Sequence, residues 1–417
     1  MLAICLLAGA LQAGQPADTL ALALDAVVRR AERVSPRVAA AKGALLAPQG
    51  IRAESIWPFP DNPTLEYGSL RRSGTGSITH DRDLVLSQPV EIAGQWIWRR
   101  GAASRRVDAM RYRIDEARRT IAWEARRGYL ALVIASRTAA LADSAAAFAE
   151  RLGAYARRQF EAGETNRLDW NLARLEAARA RSVAERARGE EAGAQAELSR
   201  LLDLGPDSVV VASGRPPLPE MAIAADSLWV ALALERRPDL LADRADLAAS
   251  ALDLRVARLD RIPDLTLSWR DGREADLERL RGFSVGLSIP LFHRGQSSMG
   301  RAAADRAVSR AAAEATTRAI RADVMVAAAR LRRTTAAVRQ FETEVLQAAR
   351  ENVELTGQAL SEGEVSLIEV LVLRRTAIDA QLEYLAVLHD AMAAWFDLAA
   401  AMAIAPDAIP ALTGIGG

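Results

Sequence analysis

The sequence predicts a mainly α-helical chain with a small β part, arranged as two tandem repeats that each carry a β-hairpin and a long coiled-coil helical hairpin. Three observations predict it. Landmarks recur at one constant offset, two pairs of short segments alternate in polarity, and two proline-free stretches with helical periodicity run from about 96 to 160 and from about 297 to 358.

The repeat comes first, because a duplicated unit dictates architecture before any local assignment. Asn62-Pro63-Thr64-Leu65 returns as Ile262-Pro263-Asp264-Leu265, 200 residues later. Leu86-Ser87-Gln88-Pro89 with Gly94-Gln95 returns as Leu287-Ser288-Ile289-Pro290 with Gly295-Gln296, 201 residues later. Gly163-Glu164 with Leu168-Asp169 returns as Gly363-Glu364 with Ile368-Glu369. Chance matches would scatter in spacing. The sequence therefore predicts a first repeat over 18–204, a linker over 205–225 carrying Pro206, Pro216, Pro217 and Pro219, a second repeat over 226–405, and a tail over 406–417.

Residues 1–17 begin with a short apolar run, Met1 to Ala13, that ends in small residues and predicts a secretory signal. The sole cysteine, Cys5, lies inside it, so the exported chain is expected to hold no disulfide or cysteine metal site. Cys5 also comes too early to follow a full apolar segment, which argues against lipidation there.

Each repeat then opens with helical stretches, roughly Leu20 to Ile56 and Ser227 to Arg261. A hairpin follows, over about 64–89 and 264–290. In the second, Leu265, Leu267 and Trp269 alternate with Thr266, Ser268 and Arg270, and Phe283, Val285, Leu287 and Ile289 alternate with Ser284, Gly286 and Ser288, the period of a half-buried strand. The first shows a weaker version: Leu65 and Tyr67 against Thr64, Glu66 and Gly68, then Leu84 and Leu86 against Val85 and Ser87. Pro89 and Pro290 are expected to close the second strands.

Long helical hairpins complete the repeats, over about 96–203 and 297–404. Apolar or small residues recur at three- and four-residue steps through Ile114, Ile121, Ala125 and Leu132, and through Ile320, Val324, Ala327 and Leu331. At 1.5 Å per residue such rods are roughly 90–100 Å long. Each turns at a glycine and returns, with Leu168, Leu172 and Leu175 expected to face the partner helix in one copy, and Ile378, Leu382, Leu385, Met392 and Phe396 in the other.

Composition narrows the function. Basic and acidic residues nearly cancel, 54 against 53, and intersperse, so no nucleic-acid face stands out. The three histidines, His80, His293 and His389, are too scattered for a two-ligand helix motif, and no phosphate-binding glycine loop or nucleophile elbow occurs. No enzyme chemistry, metal site or cofactor is expected. Past the signal no apolar run approaches the 18 or so residues that span a bilayer as a helix, so any crossing must use strands.

Four strands in so long a chain are too few for a sandwich, and their open edges cannot stand in lipid. Other copies must close them. Three chains supply twelve strands, an even number within the range of outer-membrane barrels, with apolar faces toward lipid and serine and glycine faces toward a lumen. Leu65, Tyr67, Leu265, Leu267, Trp269, Phe283, Val285, Leu287 and Ile289 are the lipid-facing candidates, and Tyr67 and Trp269 suit the interface.

The duplication, the strand ends at Pro89 and Pro290 and the turns at Gly163 and Gly363 resemble the TolC-type outer-membrane factors over nearly the whole chain. Gln88-Pro89-Val90-Glu91-Ile92-Ala93-Gly94-Gln95 with Arg99 and Arg100, and Pro290-Leu291-Phe292-His293-Arg294-Gly295-Gln296, are similar to the CzcC-like heavy-metal branch, although Gln95-Trp96 departs from the lysine-arginine pair usual there. The resemblance implies a homotrimer with a 12-stranded barrel in outer-membrane lipid and an α-helical periplasmic tunnel. It also implies a periplasmic adaptor (membrane fusion) protein and an inner-membrane pump of the resistance-nodulation-division type as partners. A type I protein-secretion channel is the nearer alternative, and a soluble periplasmic coiled-coil scaffold the more distant one.

Two local sites follow from the same resemblance. Gly163, Glu164, Gly363 and Glu364 fall where the family's hairpins reverse and meet the adaptor. Glu369 matches the first carboxylate of the family's periplasmic gate and Asp169 is its counterpart in the first repeat, while Val372 occupies the place of the second carboxylate. A ring of three such side chains would favour cations.

Overall fold

The computed structural model describes residues 18–73, 78–205, 208–212, 226–275, 278–292, 294–362 and 367–409. The signal, Gly363 and Glu364, and most of the linker and tail lie outside them. The chain divides into two compact units: one comprises the residues up to Pro36, Arg118–Ala233 and Ala322 onward, the other Arg37–Ala117 and Leu234–Arg321.

Helix dominates the first of these units. Its smallest element is a two-stranded parallel sheet of β1 (Asp18–Leu22) and β4 (Ser208–Ala212), with Leu20 opposite Val210. Both strands correct the expectations, which gave Leu20 to a helix and 208–212 to a linker. The β-branched run Val209-Val210-Val211 is the strand signal that proline-rich surroundings obscured. Helix α1 (Leu24–Val34) buries Val27, Val28 and Ala31 on one stripe. The predicted first helical stretch breaks into α1, α2 (Pro36–Ala44) and α3 (Leu46–Glu54), and the second into α6 (Asp226–Arg236) and α7 (Pro238–Leu259). Pro36 and Pro238 each stand at a first helical position, where a missing N–H removes no helical bond.

The long helices are α4 (Gln95–Glu161), α5 (Arg167–Leu201), α8 (Gln296–Gln340), α9 (Leu346–Glu362) and α10 (Leu367–Ala401). A π-helical turn, Phe341–Val345, separates α8 from α9, so the second rod carries an irregularity absent from α4. Trp123 and Arg127 of α4 and Arg330 of α8 converge on Asp397 of α10, and Arg119 donates to the Ala400 carbonyl at 2.7 Å. Met392, Trp395, Phe396, Leu398 and Met402 are buried around that junction.

The α5 packing face differs from expectation. Leu168 and Leu175 are 66% and 58% exposed, whereas Ala173, Ala177, Ala184 and Ala187 are buried. Ala184 and Ala187 meet Ala139, Ala142 and Ala146 of α4, because methyl side chains permit the closest helix approach. One 18-residue window of α4 has a mean hydropathy of 1.3, apolar enough by composition to cross a bilayer, contrary to the sequence expectation; 33% of it is buried.

In the other unit, Arg106 and Arg113 of α4 pair with Asp253 and Asp246 of α7, and Thr316 of α8 donates to Asp243 at 2.6 Å. Burial pushes the Asp246 carboxyl up, against the pull of Arg113. Leu254 and Ala257 pack on Ala302, and Arg255 lies 3.5 Å from the centre of the Trp98 ring.

Candidate functional site

The same unit carries a four-stranded antiparallel sheet of β2 (Thr64–Ser73), β3 (Ile78–Val90), β5 (Leu265–Glu274) and β6 (Glu278–Leu287), in the order β2-β3-β5-β6. Strands from the two halves of the chain thus meet at the β3–β5 pair, and β2 and β6 are left as edges. Because antiparallel partners share a face, the register sorts the side chains directly. One row runs Leu65, Leu86, Trp269, Phe283; the next rows toward the helices are Gln88, Leu267, Val285 and then Val90, Leu265, Leu287. The next row on the same face away from the helices is Tyr67, Leu84, Asp271, Arg281.

Eight of the nine lipid-facing candidates therefore share one apolar face. Phe283 is 87% exposed there, and Leu265 and Trp269 are half-buried by their neighbours. Ile289 is the exception. β6 ends at Leu287, so Ile289 belongs to no strand, and Pro290 beyond it offers no N–H for a ladder. Pro89 likewise corrects the expectation, since β3 continues through it to Val90, opposite Thr266. β2 starts opposite Ser87, so the residue without an N–H falls where the ladder has lost one neighbour. His80 lies in β3 opposite Arg71.

The opposite face is polar. Thr64, Ser87, Ser268 and Ser284 form one row, and the Ser87 and Ser268 hydroxyls are 2.9 Å apart. Arg270 pairs with Asp83, and Arg72 with Asp81 and Glu274.

Glycine at Gly94 and Gly295, both at positive φ, starts each of α4 and α8, which explains the recurrent Gly-Gln landmark. The glutamines then diverge. Gln95, 2% exposed, donates to Asp264 at 3.2 Å, while Gln296 accepts from the Arg294 N–H at 2.8 Å. Arg99 pairs with the buried Glu91, so two residues of the recognised motif hold each other.

The first helical hairpin reverses at Gly163, whose φ is +76°. Its N–H donates to the Phe160 carbonyl at 3.0 Å and the Glu164 N–H to the Gln159 carbonyl at 2.9 Å, the bond pair of a Schellman C-terminus. Phe160 and Trp170 stack across the turn with centroids 5.0 Å apart. Asn166 caps α5 by accepting the Asp169 N–H at 2.9 Å, and the Asp169 carboxylate accepts from Thr165 and Asn166 at 3.0 and 3.1 Å. Asp169 is thereby engaged in building the helix start. Glu164 and Glu369 are exposed, Glu369 in the first turn of α10. Two residues on, Leu371 packs with Ala156 of α4 and Ala173 of α5, which brings the starts of α5 and α10 side by side. Val372 is 57% exposed. Arg375 of α10 donates to Glu176 of α5 at 3.2 Å, a pair that helical periodicity could not single out. Among the described residues no group of three or more histidines, cysteines and carboxylates could hold a metal ion.

The family model for outer membrane efflux proteins matches residues 35–203 and 229–403. The cobalt-zinc-cadmium resistance protein CzcC of Cupriavidus metallidurans is 24% identical over 348 residues, which span 81% of this chain and 79% of CzcC. Among solved structures, a membrane protein from Pseudomonas aeruginosa aligns with a TM-score of 0.76 at 19% identity, over 91% of this chain and 90% of its own. CusC, whose structures concern transmembrane channel formation, also gives 0.76, at 16% identity over 94% and 95%. At these identities the two structures speak to fold.

Proposed function

Since the chain belongs to the outer membrane efflux protein family, a channel family of the outer membrane that extends into the periplasm, we propose that it is the outer-membrane subunit of a tripartite efflux system. Three copies close a 12-stranded barrel around a lumen, and the long helices, two rods per duplicated chain, continue the pore inward. Substrate arrives from an inner-membrane pump of the resistance-nodulation-division type through a periplasmic adaptor and leaves passively, so the channel itself performs no chemical step.

The observation that carries this reading is the sheet. It has one exposed apolar face, one hydroxyl-rich face and two unpaired edges, β2 and β6. Unpaired backbone groups cannot face hydrocarbon, so an apolar face of this kind belongs in lipid only if other chains pair with its edges.

The adaptor-contacting turns in this reading are those of Gly163, Glu164, Gly363 and Glu364. Glu369 supplies the cation-attracting ring at the gate. Asp169, held by its own helix cap, contributes charge from beside it. The likeness to CzcC favours heavy-metal cations as cargo.

Deleting the gene while leaving pump and adaptor intact should sensitise cells to divalent heavy metals and raise intracellular metal, and a plasmid copy should restore both. Unchanged sensitivity and content would overturn metal efflux.

A further inference from the structure

The two-residue step that places Leu265, Leu267 and Trp269 on the apolar face continues to Asp271 and Arg273. Carried across the register, it collects Arg71 of β2, Arg82 of β3, Arg273 of β5, and Arg279 and Arg281 of β6 on that same face. Arg82, Arg273 and Arg279 form a single row, one step beyond Tyr67 and Leu84. Asp271 is the lone carboxylate among them in the strands, and it is shared by Arg279 at 3.1 Å and Arg281 at 3.2 Å. Arg71, Arg82 and Arg273 are exposed and make no ion pair among the described residues.

The opposite face over the same stretch has the reverse balance. Arg72 and Arg270 stand among Asp81, Asp83, Glu274 and Glu278, and both arginines are paired. A sheet wetted equally on both faces would have no reason to segregate charge in this way. The arginine row also borders a hollow of about 160 Å³ lined by Tyr67, Leu84, Gly272 and the two carboxylate residues Asp83 and Asp271 together with Arg82, Arg273 and Arg279; Asp83 is engaged by Arg270 and Asp271 by Arg279 and Arg281.

β3 leads into α4 at its Val90 end, so the arginines lie at the end of the sheet remote from the helices, bordering the apolar band. We propose that Arg82, Arg273 and Arg279, flanked by Arg71 and Arg281, bind the phosphate groups of anionic lipid in the outer leaflet. The inference rests on the reading that the apolar face meets lipid. Guanidinium pairs bind phosphate oxygens bidentately, and the adjacent apolar rows receive the acyl chains of the same molecule, which selects a membrane lipid over free phosphate.

The test uses the full chain purified in detergent, with diphosphorylated lipid A as the probe and dephosphorylated lipid A as the comparison, and bound lipid counted by native mass spectrometry. The wild type should prefer the phosphorylated form, and R82Q/R273Q/R279Q should lose that preference by about tenfold or more. R82K/R273K/R279K should keep most of it, and wild-type binding should weaken as salt is raised. Equal binding of the two lipids by the wild type, an unaffected glutamine variant, or a flat salt response would overturn the proposal. Should the glutamine variant fail to fold, the lipid comparison and salt titration of the wild type decide alone. Flotation with phosphatidylcholine vesicles separates the two readings: a wild type that does not float refutes the lipid-facing sheet and this inference with it. One that floats without a phosphate preference refutes this inference alone.

Discussion

The indole N–H of Trp123 donates to the Asp397 carboxylate at 2.8 Å, joining α4 to α10 across 274 residues of sequence. Arg127 reaches both oxygens of the same carboxylate, at 2.8 and 3.0 Å, and Arg330 one of them at 3.4 Å. Asp397 is thus the one acceptor for three donors on two other helices. Asp397→Ala leaves the Trp123 indole and the Arg127 guanidinium without this acceptor, while Arg330 keeps Asp390 at 4.0 Å, and should cost about 2–3 kcal/mol, read as a lowered denaturant midpoint. Asp397→Asn, which keeps acceptor capacity, should cost less.

Gly163→Ala tests the first tip turn. An added Cβ would meet nothing within 4 Å, so the cost is conformational, about 1–2 kcal/mol for a left-handed residue. Gly163→Asn should lose less, since asparagine tolerates that region. If the adaptor contacts this turn, cross-linking to the adaptor should fall in both variants; cross-linking that tracks stability alone would leave the glycine a turn residue.

Phe283→Arg places a charge at the most exposed aromatic position of the apolar face. It should oppose membrane assembly by about 2–4 kcal/mol if that position lies near the bilayer centre. Ser284→Asp, one residue on and facing the other way, should assemble normally. The comparison is read as the folded fraction in vesicles, and equal assembly of the two variants would contradict the face assignment.

Glu369→Gln should reduce cation preference in single-channel recordings across planar bilayers. Asp169→Asn should have a smaller effect on selectivity, because the Asp169 carboxylate is already hydrogen-bonded by Thr165 and Asn166. Unchanged selectivity in Glu369→Gln would discard the gate assignment.

The strands were legible in the sequence because their period of two is a local property, visible in Leu265, Leu267 and Trp269 without knowing any partner. The pairing of β3 with β5 was not, because two segments some 180 residues apart leave no local mark of adjacency. Helix lengths were legible from the absence of proline, but the π turn at Phe341–Val345 leaves the apolar spacing through Val338, Phe341 and Val345 looking regular. The α5 face misled for a different reason. Leu168 and Leu175 dominate a hydrophobicity pattern, while the alanines that pack closest, Ala173 and Ala184 among them, register weakly in it. At the tip, Gly163 announced its positive φ by its type, whereas the use of the Asp169 carboxylate in the cap depends on Thr165 and Asn166 folding back onto it.

Closure of the sheet by other copies is tested most directly by the mass of the protein extracted from outer membranes in mild detergent. A barrel that pairs β2 of one copy with β6 of the next, three times around, predicts a heat-sensitive species of three chains in native mass spectrometry. A single chain, or a monomer released by osmotic shock without detergent, would contradict it.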